Sequence, residues 1–136
     1  MNKVLLDTHT FYWLMIGEVL SEHTCNLLKQ YAQSSGLCVS AISLWEIAML
    51  AQRKRITLHM PTQKWLEMAL TFPYLELCPI SPQVAAESCA LPDSFHGDPA
   101  DRIIVATARV LPATLFTRDE RILSFSREGF ISATLV

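Results

Sequence analysis

The chain has 136 residues, of which 51% are hydrophobic and 18% charged, which predicts one globular domain over residues 1–136 and excludes a disordered chain or a coiled coil. Its longest apolar run, residues 11–16, is far shorter than the ~20 residues that span a bilayer, and the first apolar run meets Asp7 before a signal-peptide core can form. We therefore expect a cytoplasmic protein without a membrane-spanning segment. The net charge of −2 by itself argues against a nucleic-acid partner.

Short apolar runs with strand-like composition recur along the chain. They lie at residues 3–6, 37–40, 75–80 and 113–117, with a further edge strand at residues 130–136. Helical patterns fill the intervals, and most of them follow a residue suited to begin a helix. The predicted starting residues are Asp7, Ser21, Ser43, Pro61, Ser81, Asp98 and Asp119.

This alternation of strands and helices predicts the α/β class. We expect a parallel sheet of four to five strands with helices on both faces. In open sheets of this kind, ligands bind beyond the carboxyl ends of the strands. Residues that follow a predicted strand are therefore the first candidates for a functional site.

One stretch of the chain, Asp98-Pro99-Ala100-Asp101, places two acids at the start of an apolar helix. Asp98 suits the N-cap position, and Pro99 suits the first helical position because its missing N–H costs nothing there. Asp101 then falls at the third helical position. The apolar residues that follow, 103–106 and 108, predict a buried helix. The two acids either cap this helix or hold a cation.

Three more acids occupy positions that point to the same region. Asp7 and Asp119 each follow a predicted strand, and Glu46 lies among Trp45, Ile47 and other apolar residues. A buried carboxylate is costly unless it pairs with an arginine or binds a metal ion. Capping alone remains a complete alternative for Asp7 and Asp119. For Asp101 the alternative is a favourable interaction with the helix dipole.

If these acids share one pocket, their chemistry favours a hard divalent cation. Oxygen ligands are preferred by Mg²⁺ and Mn²⁺, and a cation relieves the repulsion between clustered carboxylates. Such an ion can activate a water molecule and neutralise charge on a phosphodiester. We therefore predict a site for Mg²⁺ or Mn²⁺ with Asp7, Glu46, Asp101 and Asp119 as ligands.

The charge outside this pocket favours phosphate binding. With five acids assigned to the pocket, eight acids remain against eleven Lys and Arg residues. These basic residues can flank the acids and hold phosphates, although a solvated basic face is an equal alternative for residues 53–55. The candidates are Arg53, Lys54, Arg55, Arg102, Arg109, Arg118 and Arg121, and of these Arg102 and Arg118 are the predicted nucleic-acid-binding residues.

Five segments, in this order, resemble a known family. They are Leu5-Leu6-Asp7-Thr8-His9-Thr10, Ser43-Leu44-Trp45-Glu46-Ile47, Leu91-Pro92, Asp98-Pro99-Ala100-Asp101-Arg102 and Leu115-Phe116-Thr117-Arg118-Asp119. The set resembles the PIN-domain ribonucleases, specifically the VapC-type toxins of bacterial type II toxin–antitoxin pairs. The resemblance covers nearly the whole chain.

This resemblance implies a Mg²⁺- or Mn²⁺-dependent endoribonuclease. It implies that Asp7, Glu46, Asp101 and Asp119 form the family's acidic quartet. By the same resemblance, Asp98 is an accompanying acid, and Thr117 is a hydroxyl residue near the metal. It also implies a homodimer and a cognate antitoxin that covers the acidic groove.

Three other functions compete with this interpretation. A haloacid-dehalogenase-like phosphatase normally carries Asp-x-Asp, but His9 holds the second position here. A receiver domain normally carries adjacent acids after its first strand and a lysine after its last, where this chain has Arg118. The non-enzymatic alternative is a PIN-like module that has lost catalysis and binds RNA or protein.

Overall fold

The computed structural model describes residues 3–136, and its strands form one parallel sheet. The strands are β1 (Val4–Leu6), β2 (Leu37–Ser40), β3 (Leu75–Cys78), β4 (Thr114–Thr117) and β5 (Ser132–Leu135). Their spatial order is β3-β2-β1-β4-β5, and all neighbouring pairs are parallel. The predicted α/β class and parallel sheet are thus confirmed. Residues 1 and 2, which the predicted domain includes, lie outside the described residues.

The helices lie between the strands, as the alternating pattern predicts. They are α1 (Thr8–Ile16), α2 (Glu22–Ser34), α3 (Ala41–Gln52), α4 (Thr62–Ala69), α5 (Pro82–Cys89), α6 (Pro99–Val110) and α7 (Glu120–Arg127). Within residues 3–136, no helix is both long and apolar enough to cross a membrane.

The sheet is covered on both faces because alternate residues of its strands enter two separate cores. On one face, Val4 and Leu6 of β1 pack in a core with residues of α1, α2, α3 and α4. On the other face, Leu5 packs in a core with residues of α6 and α7. The central strand β1 is almost completely buried as a result.

Most of the predicted helix starts are confirmed, but the prediction for Ser43 is wrong. The N-cap of α3 is Ser40, whose hydroxyl accepts a hydrogen bond from the Ile42 backbone N–H at 3.2 Å. Strand β2 runs directly into α3, so the last strand residue also caps the helix. Ser43 instead lies buried inside the helix and shares a hydrogen bond with the Thr8 hydroxyl at 2.9 Å.

This topology brings residues that are distant in sequence to one edge of the sheet. Strand β1 lies between β2 and β4. The segments that leave these three strands at their carboxyl ends begin with Asp7, with α3, and with the residues that precede α7. The fold therefore places Asp7, Glu46 and Asp119 on the same side of the molecule.

One buried hydroxyl offers a test of this packing. Thr10 of α1 is 0% exposed, and its Oγ1 has no hydrogen-bond partner within residues 3–136. Removing an unsatisfied buried hydroxyl without changing the side-chain shape costs nothing in hydrogen bonding. We expect Thr10→Val to leave the melting temperature unchanged or raise it by about 3 °C in thermal unfolding.

The matched control is Thr8→Val, a change of the same type on the same helix. The Thr8 hydroxyl contacts Ser43 and donates a hydrogen bond to Glu46, so its removal leaves a half-buried carboxylate without that donor. We expect Thr8→Val to destabilise the protein by about 1–3 kcal/mol. Equal destabilisation by the two variants would contradict the assignment of Thr10 as unsatisfied.

Candidate functional site

A pocket of about 410 Å³ lies at the carboxyl edge of the sheet. Five carboxylates and two guanidinium groups line it, so its formal charge is −3 with His9 neutral. The structure thus brings together all four acids of the predicted quartet. The charged residues are Asp7, Glu46, Asp98, Asp101, Asp119, Arg118 and Arg121, and the remaining lining residues are Thr8, His9, Trp13 and Ile104.

Asp7 is fixed by hydrogen bonds to both of its carboxylate oxygens. Its Oδ1 accepts from the Thr10 backbone N–H at 2.9 Å as the N-cap of α1. Its Oδ2 accepts from the hydroxyl of Thr117, a completely buried residue at the end of β4. The same Thr117 oxygen accepts from the Asp119 backbone N–H at 2.9 Å. One hydroxyl therefore links the ends of the adjacent strands β1 and β4, where it orients the Asp7 carboxylate and holds the Asp119 backbone.

Glu46 reaches the pocket from α3. Its carboxylate accepts a hydrogen bond from the hydroxyl of Thr8, the residue that follows Asp7. Burial raises the pKa of Glu46 and the negative charges of Asp98 and Asp7 add to the rise, while the bond from Thr8 opposes it. Within residues 3–136 no arginine or lysine forms an ion pair with Glu46. The salt-bridge alternative for Glu46 therefore has no support in the structure.

Asp98 and Asp101 enter the pocket from the first turn of α6. Asp98 is the N-cap, and its Oδ1 accepts from the Asp101 backbone N–H at 2.8 Å. Gly97 precedes this turn because no side chain fits there. An added Cβ would lie 2.5 Å from Cε2 of the buried Phe95 ring and 2.8 Å from the Asp101 Cβ. The glycine thus lets the backbone approach the helix start closely enough to place both acids.

Capping and pocket formation are compatible roles for these acids. Asp7, Asp98 and Asp119 each accept backbone N–H groups at the start of a helix and also line the pocket. The sequence alone left the two roles as alternatives. In the structure, the helix N-termini hold the carboxylates in place and favour their negative charge.

Arg121 of α7 bridges two of the carboxylates. Its Nη2 atom lies 3.0 Å from Asp101 Oδ2 and 3.0 Å from Asp119 Oδ2. Its Nε atom is a further 3.4 Å donor to Asp119 Oδ1. A positive charge therefore stands between two of the four acids that were predicted to hold a metal ion.

The pKa values of the two bridged acids, Asp101 and Asp119, are shifted in opposite directions. Burial raises the pKa of Asp101 to about 6, and the charges of Asp98, Asp119 and Glu46 act in the same direction against the opposing Arg121. Burial also acts to raise the pKa of Asp119, but the hydrogen bonds and charge of Arg121 outweigh it, so that pKa is lowered. Asp119 contacts the guanidinium more extensively than Asp101 does, since both oxygens of Asp119 accept hydrogen bonds from it.

The residues present fit a divalent cation. The donor set is carboxylate oxygen, which Mg²⁺ and Mn²⁺ prefer, and Arg121 already stands in as a cation between two of the donors. As the side chains lie, no group of three or more Asp, Glu, His or Cys residues within residues 3–136 converges on one metal position. In this arrangement each acid of the quartet is engaged by a hydroxyl, a backbone N–H or Arg121.

The two predicted RNA-binding arginines lie in different surroundings. Arg118 lines the pocket, with its guanidinium carbon 4.9 Å from the centre of the Trp13 ring. Arg102 does not line it, because its guanidinium donates to the backbone carbonyls of Ser88 at 3.0 Å and Phe95 at 3.4 Å. These contacts tie α6 to α5 and to the loop before α6. An RNA contact by Arg102 stays a prediction.

A second groove of about 510 Å³ lies beside the pocket, and His9 and Trp13 line both. Arg55 and His59 also line this groove. One of the three basic residues at 53–55 therefore lines a groove adjacent to the acidic pocket.

Three residues that line the pocket were not predicted from the sequence, namely Thr8, His9 and Trp13, and neither was the bridging role of Arg121. Thr8 had a usable signal, since it directly follows an acid at a strand end. His9 and Trp13 also lie on the helix that Asp7 begins, two and six residues beyond Asp7. Arg121 was noted only as a possible phosphate ligand, because its bridge to Asp101 spans twenty residues and depends on the packing of α7 against the sheet.

Comparison with known proteins gives consistent results. The profile of the PIN domain family matches residues 4–128. The chain is 40% identical over 124 residues to "Ribonuclease VapC22" of Mycobacterium tuberculosis, covering 91% of this chain and 92% of that one.

Two solved structures resemble the fold. A structure of VapBC2 from Rickettsia felis, bound to a DNA fragment from its promoter, has a TM-score of 0.75 at 19% identity and covers 98% of both chains. A structure of DNA-bound VapBC from Salmonella typhimurium has a TM-score of 0.70 at 21% identity, covering 99% of this chain and 98% of that one.

The raised pKa of Asp101 predicts a pH dependence of stability. The folded protein keeps a proton on Asp101 up to about pH 6, whereas the unfolded chain releases it near pH 4. Stability from this group is therefore lost as pH rises from about 4 to about 6. Asp101→Asn removes this titrating group. The free energy of unfolding of the variant minus that of the unmutated protein should therefore increase as pH rises from about 4 to about 6.

The measurement is urea unfolding of both proteins in EDTA at pH 4, 5, 6 and 7, with Asp93→Asn as the control. Asp93 is exposed and does not line the pocket. The difference between Asp101→Asn and the unmutated protein should rise up to about pH 6 and then level off. A difference that stays constant from pH 4 to pH 7 would contradict the raised pKa.

Proposed function

This chain belongs to the PIN domain family, and on that premise we propose that it is an endoribonuclease that hydrolyses RNA phosphodiester bonds with bound Mg²⁺ or Mn²⁺. One observation carries the proposal. Four carboxylates from four separate parts of the chain, Asp7, Glu46, Asp101 and Asp119, line one pocket at the carboxyl edge of a parallel sheet. The ribonuclease name of its Mycobacterium tuberculosis relative supports the same reaction.

In this proposal the acidic quartet holds the cation. When bound, the cation would activate a water molecule for attack on phosphorus and neutralise the charge that develops on the phosphodiester. Thr117 and Thr8 keep Asp7 and Glu46 in fixed orientations through their hydroxyl groups. Asp98 sets the first turn of α6 and adds negative charge near Asp101. Ordered carboxylates reduce the reorganisation that binding and catalysis require.

RNA would lie along the pocket and the groove beside it. Arg118, held over the Trp13 ring, is placed to contact a phosphate beside the acids. Trp13 and His9 offer aromatic faces for unstacked bases of single-stranded RNA, and Arg55 lies farther along the same path. Arg102 is a weaker candidate because it does not line the pocket, whereas Arg118 does, although the Arg118 Nε also donates a hydrogen bond to the Val136 backbone carbonyl at 2.8 Å.

We further propose that the protein is the toxin of a toxin–antitoxin pair, acts in the cytoplasm as a homodimer, and is one domain over residues 1–136. The similarity to the VapBC structures from Rickettsia felis and Salmonella typhimurium supports an antitoxin partner. A pocket of formal charge −3 suits a partner that presents a basic side chain. Trp45, next to Glu46 in α3, is 56% exposed and offers an apolar contact for such a partner.

The test is cleavage of a total RNA pool by antitoxin-free protein in Mg²⁺, in Mn²⁺ and in EDTA. We expect cleavage with either metal and none in EDTA. Asp7→Asn and Asp101→Asn should each reduce the rate by at least about 100-fold, because each removes a charged oxygen ligand. Asparagine caps helices as well as aspartate does, so Asp7→Asn should still fold.

Asp93→Asn is the matched control, since this exposed aspartate does not line the pocket, and its cleavage rate should equal that of the unmutated protein. Contaminating nuclease would cleave equally in all preparations. If a folded protein binds RNA or a partner but shows no metal-dependent cleavage, the alternative of a catalytically inactive PIN-like binding module replaces this proposal.

A further inference from the structure

The position of Arg121 relative to the acidic pocket has a consequence for metal binding. We propose that Arg121 is a resident counter-cation that neutralises Asp101 and Asp119 in the metal-free protein and leaves at least one of them when a divalent cation binds. The inference rests on the proposed function for the presence of a metal ion. It adds that the chain's own arginine competes with that ion.

The Arg121 guanidinium lies where it would interfere with a metal ion bound to Asp101 and Asp119. A single nitrogen, Nη2, is 3.0 Å from an oxygen of each carboxylate, so the two carboxylates share one donor. A cation bound to the same oxygens would stand within a few ångströms of this nitrogen. Two positive charges at that distance repel strongly in a partly buried site.

The exposures indicate which group moves. The Arg121 side chain is 53% exposed, whereas Asp101 and Asp119 are 17% and 26% exposed. Asp119 is also held as the N-cap of α7, where its Oδ1 accepts from the Arg121 backbone N–H at 2.8 Å. The long arginine side chain can therefore turn into solvent while the carboxylates stay in place.

The electrostatics of the pocket explain why a counter-cation is needed. The Arg121 guanidinium is charged, as arginine is in proteins, and it donates hydrogen bonds to Asp101 and Asp119. Without it, Asp101 and Asp119 would lie beside Asp98 and Glu46 with no ion pair to either carboxylate, and Arg118 would be the guanidinium left to line the pocket. Such a cluster destabilises the folded protein until a metal ion binds.

A second arginine on the same helix, Arg127, offers a matched control outside the pocket. Arg127 forms an ion pair of 2.6 Å with Glu120, and neither residue lines the pocket. Both side chains are more than 60% exposed. Arg127→Gln therefore removes an arginine–carboxylate pair from α7 without altering the acids.

A different role for Arg121 predicts the opposite result. If it orients Asp101 and Asp119 as ligands, its removal loosens both carboxylates and weakens metal binding. If it competes with the metal, its removal strengthens binding. The sign of the change in affinity therefore separates a positioning residue from a competing one.

The experiment measures Mn²⁺ binding by the electron paramagnetic resonance signal of free Mn²⁺, for the unmutated protein, Arg121→Gln, Arg121→Lys and Arg127→Gln. We expect Arg121→Gln to bind Mn²⁺ about three- to tenfold more tightly, the amount that two partly exposed ion pairs can contribute. Arg121→Lys keeps the charge and should stay closer to the unmutated protein. Arg127→Gln should bind with unchanged affinity.

Thermal unfolding gives a second readout that does not depend on nuclease activity. In EDTA, Arg121→Gln should melt at a lower temperature than the unmutated protein, and saturating Mn²⁺ should remove the difference. Unchanged or weaker Mn²⁺ binding by Arg121→Gln would overturn this inference while leaving the metal site itself intact. An unmutated protein that binds no Mn²⁺ would overturn both this inference and the metal dependence of the proposed function.

Discussion

The mutual repulsion of five carboxylates in one pocket is the constraint on which the site depends. Each acid has a compensating contact: helix N-termini at Asp7, Asp98 and Asp119, the Thr8 hydroxyl at Glu46, and Arg121 at Asp101. The compensation is incomplete, since burial and, after it, the charges of Asp98, Asp119 and Glu46 still raise the pKa of Asp101 to about 6. The folded protein therefore holds a strained set of charges that a divalent cation would relieve.

The sheet topology makes this concentration of charge possible. Parallel strands send their carboxyl ends to one edge, so residues as far apart in sequence as Asp7 and Asp119 meet without a long loop. Thr117 adds a direct link, since its buried hydroxyl contacts the Asp7 carboxylate and the Asp119 backbone. The two buried cores on either side of the sheet keep these strand ends fixed. Core packing thus sets the distances between the acids.

Local patterns in the sequence were sufficient to predict the strands, most helix starts and the acids that line the pocket. Capping chemistry acts over three or four residues, so Asp98 and Ser21 could be recognised from their neighbours. The prediction for Ser43 was wrong because two serines were suited to begin α3, and only the tertiary position of β2 selects Ser40. The bridge made by Arg121 and the carbonyl contacts of Arg102 depend on helix packing, which local patterns do not specify.

The most direct test of this account is anomalous diffraction from crystals of the antitoxin-free protein grown in saturating Mn²⁺. We expect a manganese peak in the acidic pocket, roughly 2.1 Å from carboxylate oxygens of the quartet. We also expect the Arg121 guanidinium to be withdrawn from Asp101 or Asp119. A pocket without manganese, in crystals where the protein is folded and the acids are ordered, would contradict the claim that these carboxylates form a divalent-metal site.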